Sequence, residues 1–436
     1  MNENGAIRDA RTLGIPKMLL LGLQHMFAMF GATILVPILV NGYFNGEGLS
    51  VQVTLFFAGV GTLFFHICSR LKVPAFLGSS FAFLGGFATV AELNTGIFAN
   101  MTYGEKLPYA CGGIVVAGLL YLVLALIVKA VGIKRVMRFL PPVVTGPIII
   151  CIGLSLAPSA VSNASTNWVL ALIALVVIVV FNIWGKGMFR IIPILMGVVI
   201  SYACALIFQA LGFTNPDGSA ILDFTSVASA SAVGLPDFFI CKFNLTAILV
   251  MAPIALATMM EHIGDMSAIS ATVGENYLAD PGLHRTLVGD GLATALAGMF
   301  GGPANTTYGE NTSVVGMTKI ASVWVIGLAA IFAIILGFLG KFTALVSTIP
   351  NPVLGGVSLL LYGFIAVNGL KVLIENKIDF GKNKNIIIAS TMLVLGLGGA
   401  AISIVSGDFS LSISGMSLAA IVGILINLLL PEAKEE

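Results

Sequence analysis

The sequence predicts an all-α polytopic membrane protein of about fourteen membrane-crossing segments, arranged as two inverted repeats of seven. Three observations carry this expectation. Of the 436 residues, 58% are hydrophobic and only 9% charged, with a mean hydropathy of +1.04, against roughly 25% charged residues in a soluble domain. Basic residues gather in alternate loops between the apolar runs. Two apolar stretches broken by small polar residues stand at matching places in the two halves of the chain.

Crossing about 30 Å of hydrocarbon takes about 20 helical residues. By that measure the first half offers segments at 17–40, 52–70, 107–129, 139–157, 165–184 and 188–211. The second half offers 245–265, 285–300, 321–340, 349–370, 384–404 and 412–431. The interrupted stretches, about 76–93 and 303–319, complete the set. The run from Met18 to Val40 follows Arg8, Arg11 and Lys17 in the manner of a signal sequence. It exceeds the roughly 7–15 residues of such a core and lacks a small-residue cleavage site, so it is expected to remain as the first span. Residues 1–16 then form a cytoplasmic N-terminus, 17–211 the first repeat, 212–244 an external linker and 245–431 the second repeat.

Orientation follows from Lys and Arg, which are in excess in cytoplasmic loops. With the N-terminus inside and the crossings alternating, all 21 basic residues except Lys106, Lys242 and Lys341 fall inside. Both termini are then cytoplasmic, in the cell's inner membrane. Dropping either interrupted segment would invert the later loops and destroy the bias, so the count is even. Seven segments per half means that the halves run oppositely through the membrane. A weak echo supports this. Leu140-Pro-Pro-Val-Val-Thr-Gly146 opens the fifth segment of the first half, and Ile349-Pro-Asn-Pro-Val-Leu-Gly-Gly356 the fifth of the second.

The interrupted segments carry the chemistry. Gly78-Ser-Ser-Phe-Ala-Phe83 and Asn305-Thr-Thr-Tyr-Gly309 favour extended backbone, and each is expected to feed a half-helix whose free N–H groups face a ligand. Flexible loops over a re-entrant dip are the plainer alternative. Glu310 follows the second piece, where a carboxylate either serves the site or simply caps the half-helix. Glu261 stands mid-membrane, where an ionisable group is by default functional. Asp265 lies one turn on and shares its helix face, so the pair suits uptake and release of a proton; a helix-end position for Asp265 is the competing account. His262 points about 100° away and reads as a polar contact between helices. His25 fits a cavity wall or a hydrogen bond to a neighbouring helix equally well. His66 and His284 are expected at exposed cytoplasmic ends, and Asp290 as an N-cap of the ninth segment.

Several function classes fall away. Net charge is +1, which gives no electrostatic case for nucleic acid. The sequence holds no glycine-rich phosphate loop, so an ion gradient is the expected energy source, with no cofactor. The five cysteines lack metal-ligand spacing and read as buried free thiols.

Gln24-His-Met-Phe-Ala-Met-Phe-Gly-Ala-Thr-Ile-Leu-Val-Pro37, Gly78-Ser-Ser-Phe-Ala-Phe83, Glu261-His-Ile-Gly264, Asp280-Pro-Gly-Leu-His-Arg285, Asn305-Thr-Thr-Tyr-Gly-Glu-Asn311 and Gly355-Gly-Val-Ser-Leu-Leu-Leu-Tyr362 occur in this order. From about Leu21 to Leu429 the chain resembles the bacterial uracil permeases of the nucleobase–ascorbate transporter family. The resemblance implies a core domain (segments 1–4 and 8–11) moving against a gate domain (5–7 and 12–14), import of a nucleobase with protons, and often a homodimer. It implies that Glu261 and Glu310 accept the ring N–H groups of uracil, while the backbone N–H groups of Phe81 and Gly309 bind its carbonyls. The rings of Phe81 and Tyr308 would enclose the base, with Ser80, His25 and Tyr362 as further substrate-site candidates, and Asp265 with Glu261 for proton coupling. Two positions depart from the family pattern. Asp265 replaces a His found in some uracil permeases, and Ser313 stands where Gly is usual. A xanthine or other nucleobase symporter is the alternative within the family, and an intramembrane hydrolase or a channel is the alternative outside it.

Overall fold

The computed structural model describes residues 6–132, 135, 141–190, 192–406 and 409–431. The first two residues of the fifth predicted segment, 139–140, and the placements of Lys134, Arg138 and Lys434 lie outside them. In chain order the main elements of the first half are α1 (Ile15–Tyr43), α2 (Val51–Cys68), β1 (Leu77–Ser79), α3 (Leu84–Ala91), α4 (Tyr103–Val131), α5 (Pro142–Ser155), α6 (Ala157–Ser165), α7 (Trp168–Trp184) and α8 (Pro193–Ala210). After the short helix α9 (Thr225–Ser229) come α10 (Leu245–Met251), α11 (Ile254–Val273), α12 (Leu283–Met299), β2 (Asn305–Thr307), α13 (Gly309–Thr318), α14 (Val323–Gly337) and α15 (Gly340–Ser347). The chain closes with α16 (Asn351–Glu375), α17 (Asn383–Leu397), β3 (Ala401–Ser406), β4 (Phe409–Ser414) and α18 (Gly415–Leu429).

Among the described residues, seven helices or unbroken helix pairs are long and apolar enough to cross a membrane, and α14 with α15 forms a further candidate bent by 84°. Local chemistry sets many of the boundaries. Pro16 in the first turn of α1 gives up an N–H that would be unpaired anyway. A Thr102–Glu105 capping box opens α4, and Gly132 at φ 81° closes it. α11 runs beyond the predicted end at 265 and stops at Gly274, in the left-handed conformation.

The last two segments differ from expectation. Predicted as continuous helices at 384–404 and 412–431, they are shortened by the antiparallel hairpin β3–β4, paired from Ala401↔Ser414 to Ser406↔Phe409. Gly398 and Gly399 end α17, and the alternation of Ile and Leu with Ser that follows has the period of a strand.

Two groups of helices pack internally. One contains α1 to α4 and α10 to α14, and the other α5 to α8 and α16 to α18. Small residues permit close approach where lipid offers no hydrophobic drive. A Cβ at Gly118 of α4 would fall 2.5 Å from the Gly291 carbonyl oxygen of α12, and one at Gly369 of α16 would fall 2.7 Å from the Gly146 carbonyl oxygen of α5. The stretch between the halves is tied to neighbouring helix ends, its Cys241 N–H donating to Met299 O at 3.1 Å and its Lys242 N–H to Pro108 O at 2.9 Å.

Candidate functional site

The site is built around two three-residue strands. β1 and β2 pair antiparallel with Leu77↔Thr307, Gly78↔Thr306 and Ser79↔Asn305. Extended backbone at membrane depth must find its partners inside the protein, and here each strand supplies the other. The ladder is prolonged at both ends: Ser80 N–H donates to Ala304 O at 2.8 Å, and Tyr308 N–H to Phe76 O at 2.9 Å. Helical turns leave from opposite ends of this pair, Phe81–Phe83 continuing into α3, and α13 starting at Gly309. The first N–H groups of such turns lack intrahelical acceptors.

Tyr308 is locked onto this frame. Its hydroxyl donates to Ser79 O at 2.8 Å and accepts from Thr33 Oγ1 at 3.3 Å. Its ring covers Gly78, where a Cβ would collide with it.

A cavity of about 560 Å³ opens beside the strands and between the two helix groups. On one side its wall contains Phe81, Glu261, Gly264, Asp265, Thr307, Tyr308, Gly309 and Glu310; on the other it contains Ile149, Ile152, Ile194, Leu361 and Phe364. Glu261 is solvent-exposed within it, and Asp265 and Glu310 are half-buried. Asp265 sits mid-way along α11 rather than at its end, and Thr307 Oγ1 donates to its Oδ2 at 2.7 Å. Glu310 lies in the first turn of α13, so its carboxylate serves both the cavity wall and the positive end of the helix. At Gly264 and Gly309 a Cβ would meet no protein atom within 4 Å, so these glycines leave free space in the cavity rather than relieve packing. The arrangement offers acceptors on acidic side chains, backbone donors at two helix starts and apolar side chains on the opposite wall. A second cavity of about 520 Å³, lined by Asn182, Arg190 and Ser313 among others, shares Glu310, Ile194 and Phe364 with the first.

The Permease family model Xan_ur_permease matches residues 16–405. The chain belongs to this permease family, that of the nucleobase–ascorbate transporters. It is 43% identical to the uracil permease of Bacillus caldolyticus, with 98% of this chain and 94% of that protein covered. Identity to the uracil permease of Escherichia coli strain K12 is 38%, over 94% and 90% of the two chains. Among solved structures the fold matches the transmembrane domain of the cyanobacterial bicarbonate transporter BicA (TM-score 0.57, 17% identity, 97% and 98% covered). It also matches the murine anion transporter Slc26a9 (TM-score 0.65, 13% identity, 95% and 68% covered). The protein is a multi-pass membrane permease, not an enzyme.

Three candidate residues do not line this cavity, and for His25 the structure has the second of its two expected roles, a hydrogen bond to a neighbouring helix. His25 is fully buried in α1; Asn311 Nδ2 donates to its carbonyl at 3.0 Å and lies 3.2 Å from its Nδ1, so it ties α1 to α13 instead of lining the cavity. Ser80 is buried at the end of the ladder and does not line the cavity. Tyr362 is buried in α16 with Tyr43, Ser159 and Ser358 as polar neighbours, outside the cavity wall. Ser313 faces the second cavity, and its hydroxyl donates to Gly309 O at 3.0 Å.

Two further expectations are corrected. Asp290 is no N-cap: it lies mid-way in α12, fully buried, with its Oδ2 2.9 Å from Nδ1 of the equally buried His262. His262 does make the expected interhelical polar contact. His66 is buried rather than exposed, because Lys72 and its neighbours fold back and bring Ala75 O to 3.0 Å from its Nε2. Gly264 and Thr307 were legible only as motif members; what singles them out is empty space at one and a carboxylate partner at the other.

Proposed function

We propose that this permease imports uracil together with protons across the cytoplasmic membrane by alternating access. The observation that carries the reading is the convergence of Glu261 and Glu310 with the helix starts at Phe81 and Gly309 on one cavity. Uracil presents two N–H donors and two carbonyl acceptors on one flat ring, which calls for two acceptors and two donors around it. Two carboxylates supply the former and two backbone N–H groups the latter. The space left at Gly264 and Gly309 admits a ring close to the backbone, while Phe81 and Tyr308 bound it. A volume of about 560 Å³ is of the order of small-molecule sites, roughly 300–1,000 Å³. Relatives that bear the name uracil permease make this base the first candidate.

The cavity runs past Asn368 to Lys371 and Glu375 at the end of α16, which the distribution of basic residues assigns to the cytoplasmic side. The arrangement is therefore inward-facing. Transport then requires the group holding the strand pair, α11 and α13 to move against the group holding α5 and α16, closing this mouth and opening the outer one. Asp265, one turn from Glu261 and bonded to the strand pair through Thr307, is the residue we assign to the coupled proton. Uptake of labelled uracil into proteoliposomes, with and without an imposed proton gradient, tests the reading. Saturable accumulation that needs the gradient is expected; uptake indifferent to it would remove the symport mechanism, and absence of uracil uptake would remove the substrate.

A further inference from the structure

The residues before α1 do more than lead into it. Ile7 pairs in parallel with Ile320: its N–H donates to Lys319 O, and its carbonyl accepts from Ala321 N–H, both at 2.8 Å. Ala10 N–H donates to Ser322 Oγ at 3.2 Å, and Ala6 and Ala10 are buried. Arg11 lies with its guanidinium 4.6 Å from the centre of the Trp324 ring. Arg8 makes an ion pair with Glu275, the residue after the Gly274 cap of α11. One short segment thus grips the inner ends of both helices that carry the site carboxylates, α11 with Glu261 and Asp265, and α13 with Glu310.

We propose that residues 6–11 form a strap that sets the spacing of α11 and α13, with Arg8 and Glu275 as positioning residues for the substrate site. α13 has ten residues, so its inner end lies less than three turns from Glu310, and its last turn gives way at Lys319 in a left-handed conformation. A helix this short transmits a displacement of one end to the other. The backbone pairing through Ile7 holds α13 at Lys319 and Ala321, and the Arg8–Glu275 pair connects that anchor to α11. The proposal rests on the substrate reading above only in locating what is positioned.

The test uses the full-length protein in proteoliposomes with Arg8→Glu, Glu275→Arg and the double exchange. Both side chains are partly exposed, at 47% and 37%, so screening keeps the effect small, and each single variant should raise the KM for uracil about two- to fivefold with Vmax unchanged. The double exchange should restore it, and about 1 M salt should bring wild type close to the single variants. Hydrogen exchange at 309–318 without substrate should quicken in the single variants and return in the double exchange. That second readout needs no uracil, so the strap stands or falls apart from the choice of substrate, which Glu261→Ala tests in the same vesicles. Unchanged KM and exchange in the single variants, failure of the double exchange to restore them, or loss confined to Vmax would each overturn the strap. Should a charge reversal fail to insert, Arg8→Gln takes its place, judged by the same two readouts.

Discussion

Thr307 and Asp265 are joined by a 2.7 Å hydrogen bond that connects the α11 carboxylate to the strand at the centre of the site. The hydroxyl donates to a carboxylate oxygen, and Thr307 is the last residue of β2, directly before Tyr308 and the start of α13 at Gly309. Under the proposed assignment, a proton taken up at Asp265 would alter this contact beside the candidate site.

Asp265→Asn should therefore uncouple transport without emptying the site. The Asn carbonyl still accepts from Thr307, which preserves the local fold, but no proton is exchanged. Binding of uracil and exchange of labelled for unlabelled base should persist while accumulation against a gradient is lost. Retained accumulation driven by an imposed pH gradient would move the coupling to Glu261.

Glu261→Ala removes an acceptor from the cavity wall. A ring N–H left without a partner costs about 1–3 kcal/mol, and the lost bond is charge-assisted. Calorimetry on the purified variant should show at least about tenfold weaker binding. Wild-type affinity in a folded variant would take Glu261 out of the site.

Glu310→Gln keeps the size of the side chain and replaces an acceptor oxygen with an NH₂ donor. Uracil uptake should fall sharply in a protein that remains folded, because the helix N-terminus tolerates a neutral amide. Uptake at the wild-type rate would leave Glu310 as a first-turn residue that only complements the dipole of α13.

Two glycines should respond in opposite ways to the same substitution. At Gly309 an added Cβ meets only the cavity, so Gly309→Ala should hold or raise thermal stability, by up to about 1 kcal/mol from helix propensity, while weakening uracil binding. At Gly78 the Cβ strikes the Tyr308 ring, and Gly78→Ala should lower stability and expression. Thermal unfolding alongside binding separates the two; equal behaviour would count against the placement of the cavity.

Much of this architecture could be read from residue order. Gly, Ser and Thr inside apolar runs marked both interrupted segments, and the carboxylates stood out because hydrocarbon makes them expensive. Glu261, Asp265, Glu310, Gly309, Phe81 and Tyr308 all line one cavity. What escaped depends on partners remote in the chain. Asp290 is held by His262 on another helix, so a buried acid resembles a cap in sequence alone, whereas the bond of His25 to Asn311, 286 positions away, is one of the two readings its sequence position offered. Tyr362 and Ser80 are buried and do not line the cavity, which their sequence positions do not reveal. The β3–β4 hairpin was missed because a long hydrophobic tract outweighed its period of two.

The pairing of β1 with β2 also bears on how the chain is made. Ser79 leaves the ribosome long before its neighbour Tyr308, 229 positions later, and until then the carbonyl of Phe76 and the N–H of Ser80 have no strand to meet. These backbone groups gain their strand partners only when the second half has been made, because lipid supplies none. The mature protein is completed by a small seam between early and late synthesis, and the candidate site lies on that seam.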